Sequence, residues 1–245
     1  MKVIVTKNYE QSCKTTAELI LDQVRTYPCS KLGLATGGTA ENVYPFIVDA
    51  CQKGDVDLSK ITTVNLDEYM GMDPASEQSY RAYMDKRLFQ PAGIDAARTY
   101  VPSGKNDPEE EIALFNEKLY GDGHLLDLQL LGIGVSGHIG FNEPGELIAG
   151  VHIQKLDEST IKANARFFAS EADVPTESIT MGVGDIMKAA KIVLIATGEN
   201  KVPALRKLLM DDEVTAQVPA TGLKMHRDVT SVIDEELAEK IGWKE

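Results

Sequence analysis

This chain is short of positive charge. Its 245 residues carry 25 Lys and Arg against 38 Asp and Glu, a formal net charge of −13. An excess of that sign repels phosphodiester backbones and anionic lipid headgroups, so nucleic-acid and membrane-surface partners are not expected. Cysteine is scarce as well. Cys13, Cys29 and Cys51 form an odd set with no Cys-x-x-Cys pair. A disulfide framework is therefore a poor fit, and a reducing cytoplasm with buried structural thiols is the simpler expectation. Long hydrophobic runs are missing. Nothing approaches the ~18 consecutive apolar residues that a spanning helix needs. The apolar start of the chain reaches Lys7 and Glu10 before a signal-peptide core could form. There is no internal repeat, low-complexity tract or Pro/Gly/Ser-rich linker.

What is present is an alternation of two periods. Short β-rich runs occur at Val3–Thr6, Leu32–Ala35, Ile61–Leu66, Leu128–Ile133, Ile192–Ala196 and Val229–Ile233. Between them the apolar residues take helical spacing. Ala17, Ile20, Leu21 and Val24 share one helix face, and Val202, Leu205, Leu208 and Leu209 share another. The spacing predicts helices over 9–26, 40–53, 78–89, 108–120, 183–190 and 200–210. Strand–helix alternation with continuously apolar strands predicts an α/β fold. Its sheet should be mostly parallel, with helices on both faces. The chain reads as one domain over 1–245, large enough for a substantial core. The stretch 141–182 is the least regular, and a lid-like segment at about 145–182 is expected.

In an open α/β sheet, ligands bind beyond the carboxyl ends of the strands. After Leu32–Ala35 come Thr36, Gly37, Gly38 and Thr39. Two glycines admit close backbone approach, and threonine hydroxyls with helix N-terminal amides can hold an anion such as phosphate. The loop lacks the Gly-Lys-Thr/Ser of a Walker A motif. It fits a tight turn with a threonine cap equally well. After Ile61–Leu66 come Asp67 and Glu68, which suit a general base with a polar neighbour, or a solvated loop or cap.

The richest segment follows Leu128–Ile133. It runs from Gly134 to Pro144 and holds Ser136, His138 and Glu143. Histidine suits proton transfer near neutral pH, and a carboxylate partner fixes its tautomer. His124, His152 and His226 lack such a setting and read as surface or structural residues. Ser136 and His138 lack the Gly-x-Ser-x-Gly elbow of a serine hydrolase. No cluster has zinc spacing and no loop resembles an EF-hand. Lys201 follows the run at Ile192–Ala196 and opens a predicted helix, where a cation opposes the dipole unless it meets an anion. Arg166, beside Phe167 and Phe168, could fold over an anionic ligand.

Together these segments resemble the glucosamine-6-phosphate deaminase family of aldose–ketose isomerising enzymes. The resemblance rests on Leu32-Gly33-Leu34-Ala35-Thr36-Gly37-Gly38-Thr39, Val64-Asn65-Leu66-Asp67-Glu68-Tyr69, Gly137-His138-Ile139-Gly140-Phe141-Asn142-Glu143-Pro144, Ala163-Asn164-Ala165-Arg166-Phe167-Phe168 and Gly198-Glu199-Asn200-Lys201. These run in the family order over nearly the whole chain. The resemblance implies a Rossmann-like fold shared with ribose-5-phosphate isomerase and 6-phosphogluconolactonase. It implies that Asp67 moves a proton from C2 to C1, and that His138 with Glu143 opens the pyranose ring. Thr36, Gly37, Gly38, Thr39, Arg166 and Lys201 would hold the phosphate. The expected partner is a small-molecule sugar phosphate, with no metal and no organic cofactor. Family members occur as monomers and as homo-oligomers.

Two departures stand out. Many members carry Asp or Asn where this chain has Ser136, so His138 should lean more on Glu143. His152 and Gln154 stand where allosteric members carry Arg and Lys, which implies no activation by N-acetylglucosamine 6-phosphate. A 6-phosphogluconolactonase-like hydrolase and a catalytically weak sugar-phosphate sensor are the alternatives. A lactonase has no need of a C2 base such as Asp67. Sensors of this fold carry an added DNA-binding module, whereas the first strand here is expected at residue 2 or 3.

Overall fold

The computed structural model describes residues 1–244. The chain opens with β1 (Lys2–Thr6) and α1 (Tyr9–Thr26). The Asn8 side chain caps α1 by accepting from the Gln11 N–H at 3.0 Å. Ala17, Ile20, Leu21 and Val24 bury one face of it, as their spacing predicts. Next come β2 (Lys31–Leu34), α2 (Tyr44–Lys53), β3 (Thr62–Asn65) and β4 (Asp67–Tyr69). They are followed by α3 (Tyr80–Met84), β5 (Thr99–Tyr100), α4 (Pro108–Tyr120) and β6 (Leu128–Leu131). The second half holds β7 (His152–Lys155), α5 (Glu158–Asn164), β8 (Glu177–Thr180), α6 (Val183–Ile186) and β9 (Lys191–Ala196). It ends with α7 (Val202–Leu209), β10 (Val229–Asp234) and α8 (Glu235–Ile241).

Seven strands form a wholly parallel sheet in the order β1-β10-β9-β6-β2-β3-β5. The strands β2 and β6 are buried along their full length. Helices cover the sheet, and one apolar core runs through it from Cys13 to Ile241. From β2 the chain builds outward through β3 and β5, and from β6 it builds the other way through β9 and β10. The switch in direction lies between the neighbours β2 and β6. A crevice at such a switch point is where an open α/β sheet takes its ligand.

The periodicity did not reveal a second sheet. Strands β4, β8 and β7 pair antiparallel, in that order. Two of them and α5 occupy the stretch expected to be irregular. They are three or four residues long, too short to show an alternation. Under this sheet Tyr69, Phe141, Leu156 and Val174 form a small separate core, with Tyr80 stacked on Phe141 at 6.1 Å.

Other expectations shift at their edges. The helix expected over 40–53 begins as a 3-10 turn at Ala40–Asn42, and α2 proper starts at Tyr44. The helix expected over 183–190 is only the four-residue α6, and α8 and α5 were not anticipated. Cys13 is buried and Cys51 half-buried, but Cys29 is exposed, on the turn that links α1 to β2. Among the described residues no helix is long and apolar enough to cross a membrane.

Candidate active site

A cleft of about 140 Å³ opens at the switch point. Its walls include Thr36, Gly37, Gly38, Thr39, Asp67, His138, Arg166 and Lys201, so eight of the ten expected site residues share one surface. Ser136 and Glu143 are not among its walls and contact it through His138, and Ser136 also lines an adjoining cavity with Arg166 and Lys201.

Asp67 is the first residue of β4, directly beyond the end of β3. The chain leaves the large sheet at Leu66, whose carbonyl accepts from the Met181 N–H at 2.8 Å, and joins the small one. Asp67 is buried, 6 % exposed. Burial, with the Glu68 carboxylate next to it, pushes its pKa up to about 8. Glu68 is not a solvated loop residue. It is buried and accepts backbone N–H groups from Tyr69 at 2.9 Å and from Tyr80 at 2.8 Å. It thereby ties β4 to the first turn of α3. Burial raises it to about 7 against the lowering effect of those hydrogen bonds.

His138 lies on the loop that leaves β6. The loop folds back on itself, the Gly134 N–H donating to the His138 carbonyl at 2.8 Å. The imidazole lies flat against Gly134, and a Cβ there would stand 2.2 Å from two ring atoms. Three groups meet at Nδ1: Ser136 Oγ at 3.0 Å, Glu143 Oε2 at 3.3 Å and Thr160 Oγ1 at 3.4 Å. Burial opposes the charge of Glu143. The His138 ring, the Thr160 hydroxyl and the Asp157 N–H outweigh it and hold that carboxyl below its ordinary range. A hydrogen on Nδ1 held by this group leaves Nε2 as the free proton acceptor.

Two cations also line the cleft. Arg166 follows α5 on a 3-10 turn, its guanidinium against Gly38, where a Cβ would stand 3.1 Å from Nη2. It also stacks on Phe167, 4.7 Å from the ring centre. Lys201 ends a 3-10 turn just ahead of α7. Burial, reinforced by Arg166, lowers its pKa to about 8. Among the described residues neither cation pairs with a carboxylate. The expected helix N-termini open as 3-10 turns: Ala40–Asn42 follows Thr39 and leads into α2, and Lys201 is itself the residue that precedes the first turn of α7.

Thr160, Asn164, Tyr80 and Phe141 also belong to the site, and sequence reasoning missed their roles. Asn164 donates to the Tyr69 hydroxyl at 2.9 Å and lines the cleft with Tyr80 and Phe141. Thr160 is buried within a short helix of a stretch that carries no periodic signal. The other histidines have structural partners. His226 is buried against the Ala189 carbonyl at 2.8 Å, and His124 pairs with Asp127 at 3.2 Å. His152 and Gln154 hydrogen-bond each other at 3.2 Å on β7.

A family model described as glucosamine-6-phosphate isomerases/6-phosphogluconolactonase matches residues 6–232. A glucosamine-6-phosphate deaminase of Clostridium perfringens (strain 13) is 47 % identical over 97 % of this chain and 98 % of its own. One from Thermoanaerobacter sp. (strain X514) is 45 % identical over 98 % of this chain and 95 % of its own. The solved structure of a monomeric glucosamine-6-phosphate deaminase superposes with a TM-score of 0.94 at 39 % identity, over 98 % of this chain and 100 % of that one. A 6-phosphogluconolactonase from Leishmania guyanensis has a TM-score of 0.76 at 18 % identity, over 97 % of each chain, and shares the fold. The chain belongs to the glucosamine-6-phosphate isomerase/6-phosphogluconolactonase family.

Proposed function

We propose that this enzyme converts glucosamine 6-phosphate and water to fructose 6-phosphate and ammonia. The observation that carries the reading is a single cleft that gathers two kinds of group. It holds a buried carboxylate, Asp67, with an oriented imidazole, His138. It also holds the two cations Arg166 and Lys201 with a Gly-Gly loop. The substrate has the matching charges, a phosphate at C6 and an ammonium at C2.

The chemistry follows from the side chains. His138, through Nε2, takes the anomeric hydroxyl proton and returns a proton to the ring oxygen, which opens the pyranose. The exposed aldehyde acidifies the C2–H. Asp67 removes that proton while the C2 ammonium gives one of its own to O1, forming an enaminol, and Asp67 then delivers the carbon proton to C1. The resulting C2 iminium adds water and loses ammonia, leaving the C2 ketone. Positioned proton transfer of this kind is worth roughly 10²–10⁴ in rate. Phosphate binding far from the reacting carbons orients the open chain against Asp67.

In this reading, residues 145–182 form a lid within one domain. Arg166 carries the phosphate signal into it, and Thr160 and Asp157 tie it to Glu143. The three free thiols are compatible with a cytoplasmic setting.

Ammonia release from glucosamine 6-phosphate tests the assignment, with hydrolysis of 6-phosphogluconolactone as the control. Ammonia without lactonase activity is expected. Lactone hydrolysis without ammonia would overturn the assignment.

A further inference from the structure

The loop at Thr36–Thr39 runs into the 3-10 turn that leads α2, and it faces the anionic end of the proposed substrate. Three tyrosines from three different helices hold its carbonyls. The Tyr44 hydroxyl, on α2, donates to the Ala35 carbonyl. The Tyr83 hydroxyl, on α3, donates to the Gly37 carbonyl at 3.1 Å. The Tyr9 hydroxyl, on α1, donates to the Gly38 carbonyl at 3.0 Å and also lies 3.2 Å from that of Thr39. None of the three lines the cleft.

A peptide unit is planar, and in its trans form the carbonyl of one residue points opposite the N–H of the next. The chain has no cis peptide bond among the described residues. Tying back the carbonyls of Ala35, Gly37, Gly38 and Thr39 therefore turns the N–H groups of Thr36, Gly38, Thr39 and Ala40 the other way, toward the cleft. It also removes carbonyl lone pairs that would repel an anion there. We infer that Tyr9 and Tyr83 are positioning residues for the phosphate end of the substrate, holding the Gly37–Thr39 peptides with their N–H groups turned inward before any ligand arrives. This rests on the reading of the cleft as a sugar-phosphate site.

The supporting contacts point the same way. The Asn42 amide donates to the Tyr9 oxygen at 2.9 Å, which leaves the phenolic hydrogen for the carbonyls. Burial raises the Tyr9 pKa to about 12, so the phenol remains a donor. Arg87 stacks on Tyr83, 4.6 Å from its ring centre, and pairs with Glu41, which fixes the ring beside the loop. The Glu41 N–H shares the Gly37 carbonyl with Tyr83, at 3.0 Å. A pre-set loop gives up less conformational freedom on binding than one that must reorder.

The test uses the full chain with Tyr9→Phe, Tyr83→Phe and the double variant. Titration with inorganic phosphate reads the site without turnover, and steady-state kinetics read it with glucosamine 6-phosphate. Each single variant should weaken phosphate binding and raise KM together by roughly three- to ten-fold, the scale of one net hydrogen bond. The double variant should approach the product of the two, because they hold different carbonyls. Values of kcat within two-fold of the parent are expected. Asn42→Ala, which is exposed and keeps the phenol, should move phosphate affinity in the same direction by less. Phosphate affinity within two-fold of the parent in the double variant would overturn the inference. So would a fall in kcat at constant KM. The phosphate titration stands whether or not the parent releases ammonia, so a wrong substrate and a wrong brace give different results.

Discussion

The two kinds of group in the cleft come from different sheets and answer the same burial in opposite ways. The groups proposed to hold phosphate belong to the seven-stranded parallel sheet, at the exits of β2 and β9, with Arg166 reaching over from the segment after α5. The groups proposed to move protons include Asp67 from the small antiparallel sheet, beside a loop from β6. Desolvation disfavours whichever form is charged. It drives Lys201 down to about 8 and Asp67 up to about 8. The cleft thus holds a weakened cation and a weakened anion. A substrate with a phosphate at one end and an ammonium near the other restores both charges as it enters. The site is strained toward neutrality and is completed by a zwitterion.

The largest break in that comparison is Asp67→Asn. It removes the base while keeping the shape, and kcat should fall by about 10³-fold, in the range of a positioned proton transfer. Solvent deuterium should no longer enter C1. The same variant should be more stable than the parent at high pH. A carboxyl whose folded pKa is raised far above its ordinary value of about 3.9 stabilises the fold below that value. It loses that contribution as pH rises through the folded value of about 8. An amide never ionises, so the difference in Tm should widen between pH 4 and pH 8. A Tm difference independent of pH would show that Asp67 is not held against its charge.

Next in size is Gly134→Ala. The new methyl would meet the His138 ring, the end of a side chain that can rotate away, and not backbone. The fold should survive with Tm within a few degrees. The ring would leave Ser136 and Glu143, and kcat should fall by about 10²-fold, the low end of what an oriented acid–base group supplies. KM should change little, because Arg166, Lys201 and the Thr36–Thr39 loop are untouched. A large rise in KM with kcat preserved would contradict the separation of the two kinds of group.

Lys201→Arg tests the cationic groups through pH. In the parent, kcat/KM should rise as Asp67 ionises and fall as Lys201 loses its proton. Both limbs lie near pH 8 and give a narrow bell. Arginine keeps its charge throughout, so the variant should hold its kcat/KM on the alkaline side and exceed the parent's relative activity about ten-fold at one unit above the crossover. The substrate's own groups titrate identically in both enzymes, so the difference between the profiles reads Lys201 alone. Parallel alkaline limbs would remove Lys201 from the groups that hold phosphate.

Much of the large sheet was legible, because its strands are continuously apolar and its helices long enough to show a face. The cleft was legible where a residue follows a strand, as Thr36, Asp67, His138 and Lys201 all do. The small sheet was not. Strand β4 runs on from β3 with only Leu66 between them, and β7 and β8 have no alternation to display. Glu68 read as a polar neighbour of a base or as a solvated loop or cap, because nothing in sequence says that the amides of Tyr80 and Arg81 come to it from twelve and thirteen residues away. Tyr9 gave no hint of its partners either, since the glycine loop lies about thirty residues on.

The smallest effect concerns the two hydroxyls at the His138 ring, Ser136 and Thr160. The His138 Nδ1 has room for one hydrogen, yet three acceptors surround it, and one of them, the Thr160 hydroxyl, can turn to donate to Glu143 instead. Removing one hydroxyl leaves the other to hold the ring. Ser136→Ala and Thr160→Val should each lower kcat by only about two- to three-fold, near the floor of a single hydrogen bond. The double variant should lose more than the product of the singles, because Glu143 then holds the ring alone and burial works unopposed by any hydroxyl. Groups in one hydrogen-bonded cluster couple in this way. Nitrogen-15 shifts of the His138 ring would separate the explanations. Only the double variant should show the two neutral tautomers mixed, whereas strictly additive kinetics with one tautomer throughout would mean that the two hydroxyls act on different partners and that Thr160 serves the small sheet and not the imidazole.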